Sequence, residues 1–139
     1  MCIAFALFGL FIALFNQTPV FDILFNDQID PVFFGSAALT PEMMLFRQWT
    51  YGVLGATCVF AGILMFFIVD NAYRKKERWA WYCIVLGLTG WFVIDGAVSL
   101  YFSVYFNAAF NIVLLTAALV PLIFTKKYFF ENGDSVEHG

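Results

Sequence analysis

The sequence predicts an all-α integral membrane bundle of four transmembrane helices, with an outer loop segment between helices 1 and 2. The first observation is composition: 63% of the 139 residues are hydrophobic and 12% are charged, against about 45–50% and about 25% in an ordinary soluble domain. A soluble domain of this length could not bury so much apolar surface in one core, so we expect the remainder to face a bilayer. The second observation is that the apolar residues fall into four segments separated by short polar stretches.

These four segments define the helices in chain order. We expect spans at about residues 1–16, 43–70, 79–104 and 107–126, which together make residues 1–130 a single domain, followed by a polar tail at 131–139. Each of the last three spans is long enough to cross roughly 30 Å at about 1.5 Å per residue. The first segment covers only about 21 Å on that rise, so it must thin the bilayer or insert partly. It lacks a basic start and a small-x-small cleavage site, so we expect a retained span rather than a signal peptide.

The segment between the first two spans differs from them in composition. From Asn16 to Phe46 it mixes phenylalanine and isoleucine with acids and prolines, and it contains no lysine or arginine. We expect it to lie along the outer surface, partly as a short amphipathic element. Its last residues, Thr40-Pro41-Glu42, have the form of a helix start, which places the beginning of the second helix near Pro41.

Basic residues set the predicted direction of insertion. Six of the seven fall on one side of a four-span arrangement: Arg74, Lys75, Lys76, Arg78, Lys126 and Lys127. That side should be cytoplasmic, and both termini with it. Amphipathic aromatic rings are expected at the two membrane interfaces, and we assign to them Trp49, Trp79, Trp81, Tyr101 and Tyr105.

Small residues in the second and third spans predict close helix packing. The small residues are Gly52, Gly55, Ala56 and Gly62 in the second span and Gly87, Gly90 and Gly96 in the third. Small side chains let helix backbones approach closely in lipid. We expect packing within the chain more than a dimer interface, although the spacing fits both.

An aspartate in the third span is the best lead to a site. At helical rise, Asp95 lies about 24 Å beyond Trp79, and Asn111 lies about 22 Å above Lys126. The two helices run antiparallel, so both side chains reach nearly one depth in the outer third of the membrane. We therefore predict an outward-open polar cluster formed by Asp95, Asn111, Asn107, Ser99 and Arg47.

Two roles remain open for this cluster. It could be a structural clamp, because polar contacts between membrane helices contribute roughly 0.6–2 kcal/mol. It could instead be a binding site, because ionisable residues inside a membrane are costly and often functional.

Several chemistries find no support in the sequence. There is no GxSxG, HExxH or glycine-rich phosphate loop, and His138 is the single histidine. We therefore predict no catalytic residues, no cofactor and no metal site, and do not expect an enzyme. The net charge of −3 is small and scattered, which does not indicate nucleic acid.

From Arg47 onward the chain resembles a small uncharacterised family of prokaryotic four-span membrane proteins. The features that carry the resemblance are RQWTYGVLGAT, RKKERWAWY, WFVIDGAVSLY, YFNAAFN and VPLIFTKKYF. The resemblance implies a four-helix fold in a prokaryotic cytoplasmic membrane. It implies no activity and no functional residues.

Three functions therefore remain open. The first is a structural or accessory subunit that binds partner membrane proteins or itself through aromatic and small-residue helix faces. The second is a lipid or small-molecule binding protein that uses the polar cluster around Asp95. The third is a component of an ion or proton pathway, which ranks last because Asp95 has no ionisable neighbour at greater depth.

Overall fold

The computed structural model describes residues 1–130, so the polar tail predicted at 131–139 lies outside the described part. Regular structure is helical throughout the described residues, which confirms the all-α class. The chain divides into two compact units, Met1–Phe66 and the part from Phe67 onward. The single domain expected from the sequence stays a prediction.

Six helices make up these two units. Their bounds are α1, Cys2–Phe15; α2, Pro19–Phe34; α3, Pro41–Tyr73; α4, Arg78–Tyr101; α5, Tyr105–Thr125; and α6, Lys127–Phe130. Two of them contain a wider π-helical turn, at Asp22–Asn26 in α2 and at Val69–Tyr73 in α3.

Three helices, α3, α4 and α5, are long and apolar enough to cross a membrane. A fourth crossing is available if α1 and α2 count as one span bent by 115°. The bounds of α3 to α5 lie within a few residues of the predicted spans, and α3 begins at Pro41, where Thr40 caps it by accepting the Met43 backbone N–H at 3.3 Å.

The segment expected to be an outer loop is mostly helical, which corrects the sequence-based expectation. Asn16 ends α1 by donating its side-chain amide to the carbonyls of Ile12 and Ala13, at 2.9 and 3.1 Å. Thr18 then caps α2, and Pro19 takes its first position. Thr18 and Pro19 therefore start a new helix three residues after the first one ends. Proline suits the first helical position, because a backbone N–H there would have no partner within the helix.

In the first unit, α1 packs against α3 through small residues. A Cβ built on Gly9 would lie 2.6 Å from the Gly55 carbonyl oxygen, and one on Gly62 would lie 2.9 Å from the Ala6 Cβ. One on Gly55 would collide with the Gly9 carbonyl and with Ala13. The two backbones therefore meet at a distance that only glycine permits on α3.

In the second unit, α4 and α5 form an antiparallel pair. They are joined by Phe102, Ser103 and Val104; Ser103 has a positive φ of 60°, and Val104 is buried. The Trp81 indole N–H near the start of α4 donates to the Leu122 carbonyl near the end of α5, at 3.1 Å.

Candidate functional site

The Asp95 carboxylate is the centre of a hydrogen-bonded group in the second unit. Its Oδ1 accepts from the Ser99 hydroxyl at 3.2 Å and from the Asn107 amide nitrogen at 3.0 Å. The same amide nitrogen donates to the Ser99 Oγ at 2.8 Å. Asn107 thereby links the first turns of α5 to the last turns of α4.

Helix geometry explains why these three side chains meet. Asp95 and Ser99 are four residues apart and share one face of α4. The short connection after Tyr101 reverses the chain, so that Asn107, two residues into α5, returns to the level of Ser99. A carboxylate that accepts two hydrogen bonds here is stabilised in surroundings that are otherwise apolar.

Asn111 lies one turn further along α5 and is 2% exposed. Its amide nitrogen has no hydrogen-bond partner among residues 1–130. Burying an amide N–H without a partner costs free energy. In the second unit, which also holds Asp95, Asn111 therefore has an N–H that could donate to a ligand oxygen, such as a carbonyl or a phosphate.

Arg47 is found in a different polar group, in the first unit. Its guanidinium forms a hydrogen-bonded ion pair with Asp30 of α2, and both side chains are largely buried. One turn earlier in α2, the Asn26 amide donates to the Asp22 carboxylate at 2.6 Å. The structure thus brings together Asp95, Ser99 and Asn107, and pairs Arg47 with Asp30.

Sequence reasoning missed Asn26 and Asp30. The signal that could have found them is the recurrence of Asp22, Asn26 and Asp30 at every fourth residue, which indicates one polar helix face. Asn26 is 2% exposed, so this face is turned inward within the chain.

Most of the aromatic and basic residues assigned to the interfaces lie at helix ends or in the connections between helices, whereas Trp49 lies two turns inside α3. Trp79 donates its indole N–H to Glu77, and Trp49 lies beside Phe46, with ring centroids 6.0 Å apart. Tyr101 and Tyr105 flank the connection between α4 and α5 and are both exposed. The six clustered basic residues lie at the opposite end of the α4–α5 pair, near Trp81.

The arrangement around Asp95 brings together a carboxylate, a hydroxyl and an amide, which can accept and donate hydrogen bonds. Among residues 1–130, no three His, Cys, Asp or Glu side chains converge on a position that could hold a metal ion. No family model, curated protein or solved structure matches this chain. The described residues thus form a helical protein with three helices long and apolar enough to cross a membrane, or four if the bent pair counts as one span.

Proposed function

We propose that this protein is a small integral membrane protein that crosses the bilayer four times and acts as an accessory subunit. In this proposal both termini are cytoplasmic, and the chain binds a partner membrane protein or a second copy of itself. The family resemblance of the sequence would place it in a prokaryotic cytoplasmic membrane.

The observation that carries the proposal is an exposed row of small residues on α4. Cys83, Gly87, Gly90 and Ala97 are spaced at i, i+4, i+7 and i+14, so they lie on one helix face. The larger Ile94 lies between Gly90 and Ala97 on the same face and is also exposed. All four small residues are exposed, and a Cβ built on either glycine would meet nothing within 4 Å. We call these four residues the small face.

A second helix packs against a face of small residues more favourably than lipid does. Flexible acyl chains cover large side chains as well as small ones, but a second helix gains extra van der Waals contact where small residues let the backbones approach. The chain itself uses this device, since Gly9, Gly55 and Gly62 bring α1 and α3 together. The small face has the same composition without such a neighbour within the described residues.

The test is a matched pair of substitutions made in the full chain. Ala97→Leu enlarges the small face, and Ala117→Leu makes the same change at an exposed position of α5. Each protein is extracted in mild detergent, and the mass of the complex and its protein components are measured by light scattering and mass spectrometry.

We expect the wild-type chain and Ala117→Leu to run as a complex larger than one chain, and Ala97→Leu to run as a monomer. Native Cys83 provides a second readout, because a copy or partner at the small face should alter its reactivity toward a thiol reagent. A wild-type chain that is monomeric in every mild detergent would contradict the proposal.

The polar cluster supports a second candidate function, the binding of a lipid or small molecule near Asp95. The specific observation is the buried Asn111 amide nitrogen, which has no partner within the described part of the chain. Mass spectrometry of the purified protein should then detect a small molecule with a hydrogen-bond acceptor. A ligand-free preparation that keeps its full stability would contradict this function.

A further inference from the structure

The basic residues of the second unit are gathered at one end of it from two separate stretches of chain. Four come from residues 74–78, between α3 and α4, and two come from residues 126–127, at the start of α6. We call this set the basic end: Arg74, Lys75, Lys76, Arg78, Lys126 and Lys127.

Tyr128 holds one lysine from each stretch. The Lys76 ammonium lies 5.9 Å from the centroid of its ring, and the Lys127 ammonium lies 5.1 Å from it. A cation over an aromatic face is attracted by the ring, while its remaining N–H groups stay free to donate elsewhere. One exposed ring therefore keeps two positive charges near each other.

A second set of rings holds two further cations. The Lys126 ammonium lies 5.8 Å from the Trp81 ring, and the Arg78 guanidinium carbon lies 5.5 Å from the Phe130 ring. Trp81 and Phe130 are themselves in edge contact, with centroids 5.5 Å apart. Lys126 and Arg78 thus belong to one continuous aromatic surface.

The short helix α6 is held against the rest of the second unit by packing and hydrogen bonds, so the positions of its basic residues are fixed. Phe129 is 6% exposed and packs against Tyr73, with ring centroids 4.6 Å apart. The Arg78 Nε donates to the Phe129 carbonyl at 3.2 Å, and the Tyr73 hydroxyl bonds to the Thr125 hydroxyl. These contacts tie the two basic stretches together.

Among residues 1–130, positive charge is in excess at this end. Arg74 pairs with Asp70 at 2.6 Å, and Glu77 accepts from the Trp79 indole. Within residues 1–130, no salt bridge engages Lys76, Arg78, Lys126 or Lys127. Beside these cations, the end of α5 presents an apolar surface: Ile123 is 66% exposed and Phe124 is 73% exposed.

We propose that the basic end binds the headgroup phosphate of an anionic phospholipid, with Lys76, Arg78, Lys126 and Lys127 as its ligands. Phosphate oxygens accept charge-assisted hydrogen bonds from ammonium and guanidinium groups. The acyl chains of the lipid lie along the apolar surface of Ile123 and Phe124, directly beside the cations. A phospholipid complements both features, whereas a free anion complements only the first.

The proposal requires a membrane environment but does not depend on the accessory role, so the two can fail separately. Basic clusters next to a membrane helix favour anionic lipid by roughly fivefold for each lysine or arginine. The four cations held by rings should contribute more than Arg74 and Lys75, for which the described residues include no ring contact.

The test measures lipid binding to the full-length protein by native mass spectrometry in detergent. The probes are phosphatidylglycerol, phosphatidylcholine with the same acyl chains, and inorganic phosphate. The variants are Lys126→Gln/Lys127→Gln, the matched control Arg74→Gln/Lys75→Gln, and Lys126→Arg/Lys127→Arg, which keeps the charge. Thermal unfolding of each variant checks that it is folded.

We expect wild type to prefer phosphatidylglycerol, and the Lys126→Gln/Lys127→Gln variant to lose roughly thirtyfold in affinity for it. The Arg74→Gln/Lys75→Gln control should lose about fivefold, the effect of one charge, because Arg74 already pairs with Asp70. The arginine variant should bind as wild type does. Equal losses of affinity in the two neutralised variants would overturn the proposal, because lipid binding would then depend only on the net charge of the basic end. Equal binding of the two lipids, or binding of inorganic phosphate as tight as that of phosphatidylglycerol, would overturn it as well.

Discussion

Asp95 raises the question of how a carboxylate is accommodated in such an apolar stretch. A charged group moved out of water without partners would be strongly disfavoured. Here Oδ1 accepts from Ser99 and Asn107, and the side chain is half-buried near the α4–α5 connection rather than enclosed. The cost of placing the charge is therefore offset by two hydrogen bonds and by the partial exposure of the side chain.

Asn107 should carry most of the link between the two helices at this level. Asn107→Leu removes both bonds that its amide donates across the pair, so we expect the free energy of unfolding to fall by about 0.6–2 kcal/mol. The control is Thr116→Val, which removes a hydroxyl that bonds only to the Ile112 carbonyl of its own helix. Unfolding followed in a denaturing detergent measures both, and equal losses would show that Asn107 has no bridging role.

Asp95→Asn and Asn111→Leu distinguish a clamp from a ligand site. Asparagine keeps an acceptor oxygen, and the Asn111 amide nitrogen has no partner to lose among the described residues. We therefore expect both variants to stay within about 1 kcal/mol of wild type. The ligand hypothesis further predicts that each variant loses a co-purifying molecule, which mass spectrometry would detect. Wild-type ligand content in both would leave only the clamp.

Sequence could predict part of this site at the residue scale. The rise per residue places Asp95 at the depth of the α5 asparagines. Position along the helix axis is enough for this prediction, because the two helices are antiparallel and joined by a short connection. The pairing of Arg47 with Asp30 could not be obtained in this way. It depends on where α2 lies, and α2 follows a bend that hydropathy does not encode.

At the scale of elements, contact between α1 and α3 explains how a short first helix is held. With 14 residues, α1 falls below the thickness of the hydrocarbon layer. Its backbone lies against Gly55 and Gly62 so closely that a side chain at either position would collide with it. Protein contact thus compensates for the limited surface that α1 offers to lipid.

Gly55→Leu should separate these two helices. A Cβ at Gly55 already collides with the Gly9 carbonyl, so we expect a loss of about 1–3 kcal/mol or more from overpacking. Gly52→Leu on the same helix is the control, because a Cβ there meets nothing within 4 Å. Thermal unfolding by tryptophan fluorescence compares them, and a Gly55→Leu protein as stable as Gly52→Leu would contradict the packing described here.

Hydropathy predicted α3 to α5 well because each is a long apolar run bounded by charge or by a turn. The segment between α1 and α3, expected to be a loop with a short amphipathic element, is more helical than the acids and prolines indicated. Thr18 and Pro19 begin α2, and Pro31 lies in its last turn. Pro31 lacks the N–H that a helical residue would donate to residue 27, and the helix ends three residues later, at Phe34. The 115° bend then follows from the break at Asn16 to Thr18.

At the scale of the whole molecule, most of the apolar surface remains exposed. In the most apolar windows of α3, α4 and α5, only 11%, 11% and 17% of the residues are buried. A water-soluble chain could not leave such surface uncovered. In our proposal, lipid and a partner at the small face cover this surface together, and the basic end binds lipid of one leaflet.

The claim on which this account depends most is the path of the chain through the bilayer. A bent α1–α2 pair has two arrangements: α1 crosses the membrane, or α1 and α2 enter and leave on the same side. In the first case residue 2 and the basic end share one side, and Asp27 lies on the other. In the second case residue 2 and Asp27 lie together.

Single cysteines labelled from outside by an impermeant thiol reagent decide between these paths most directly. Each protein carries one cysteine: native Cys2, Asp27→Cys or Asp134→Cys, with the remaining native cysteines replaced by alanine. If the chain crosses four times with both termini cytoplasmic, we expect labelling at position 27 alone in intact cells. Positions 2 and 134 should be labelled only after the membrane is permeabilised. Labelling of Cys2 from outside, or labelling of position 134 in place of position 27, would contradict it.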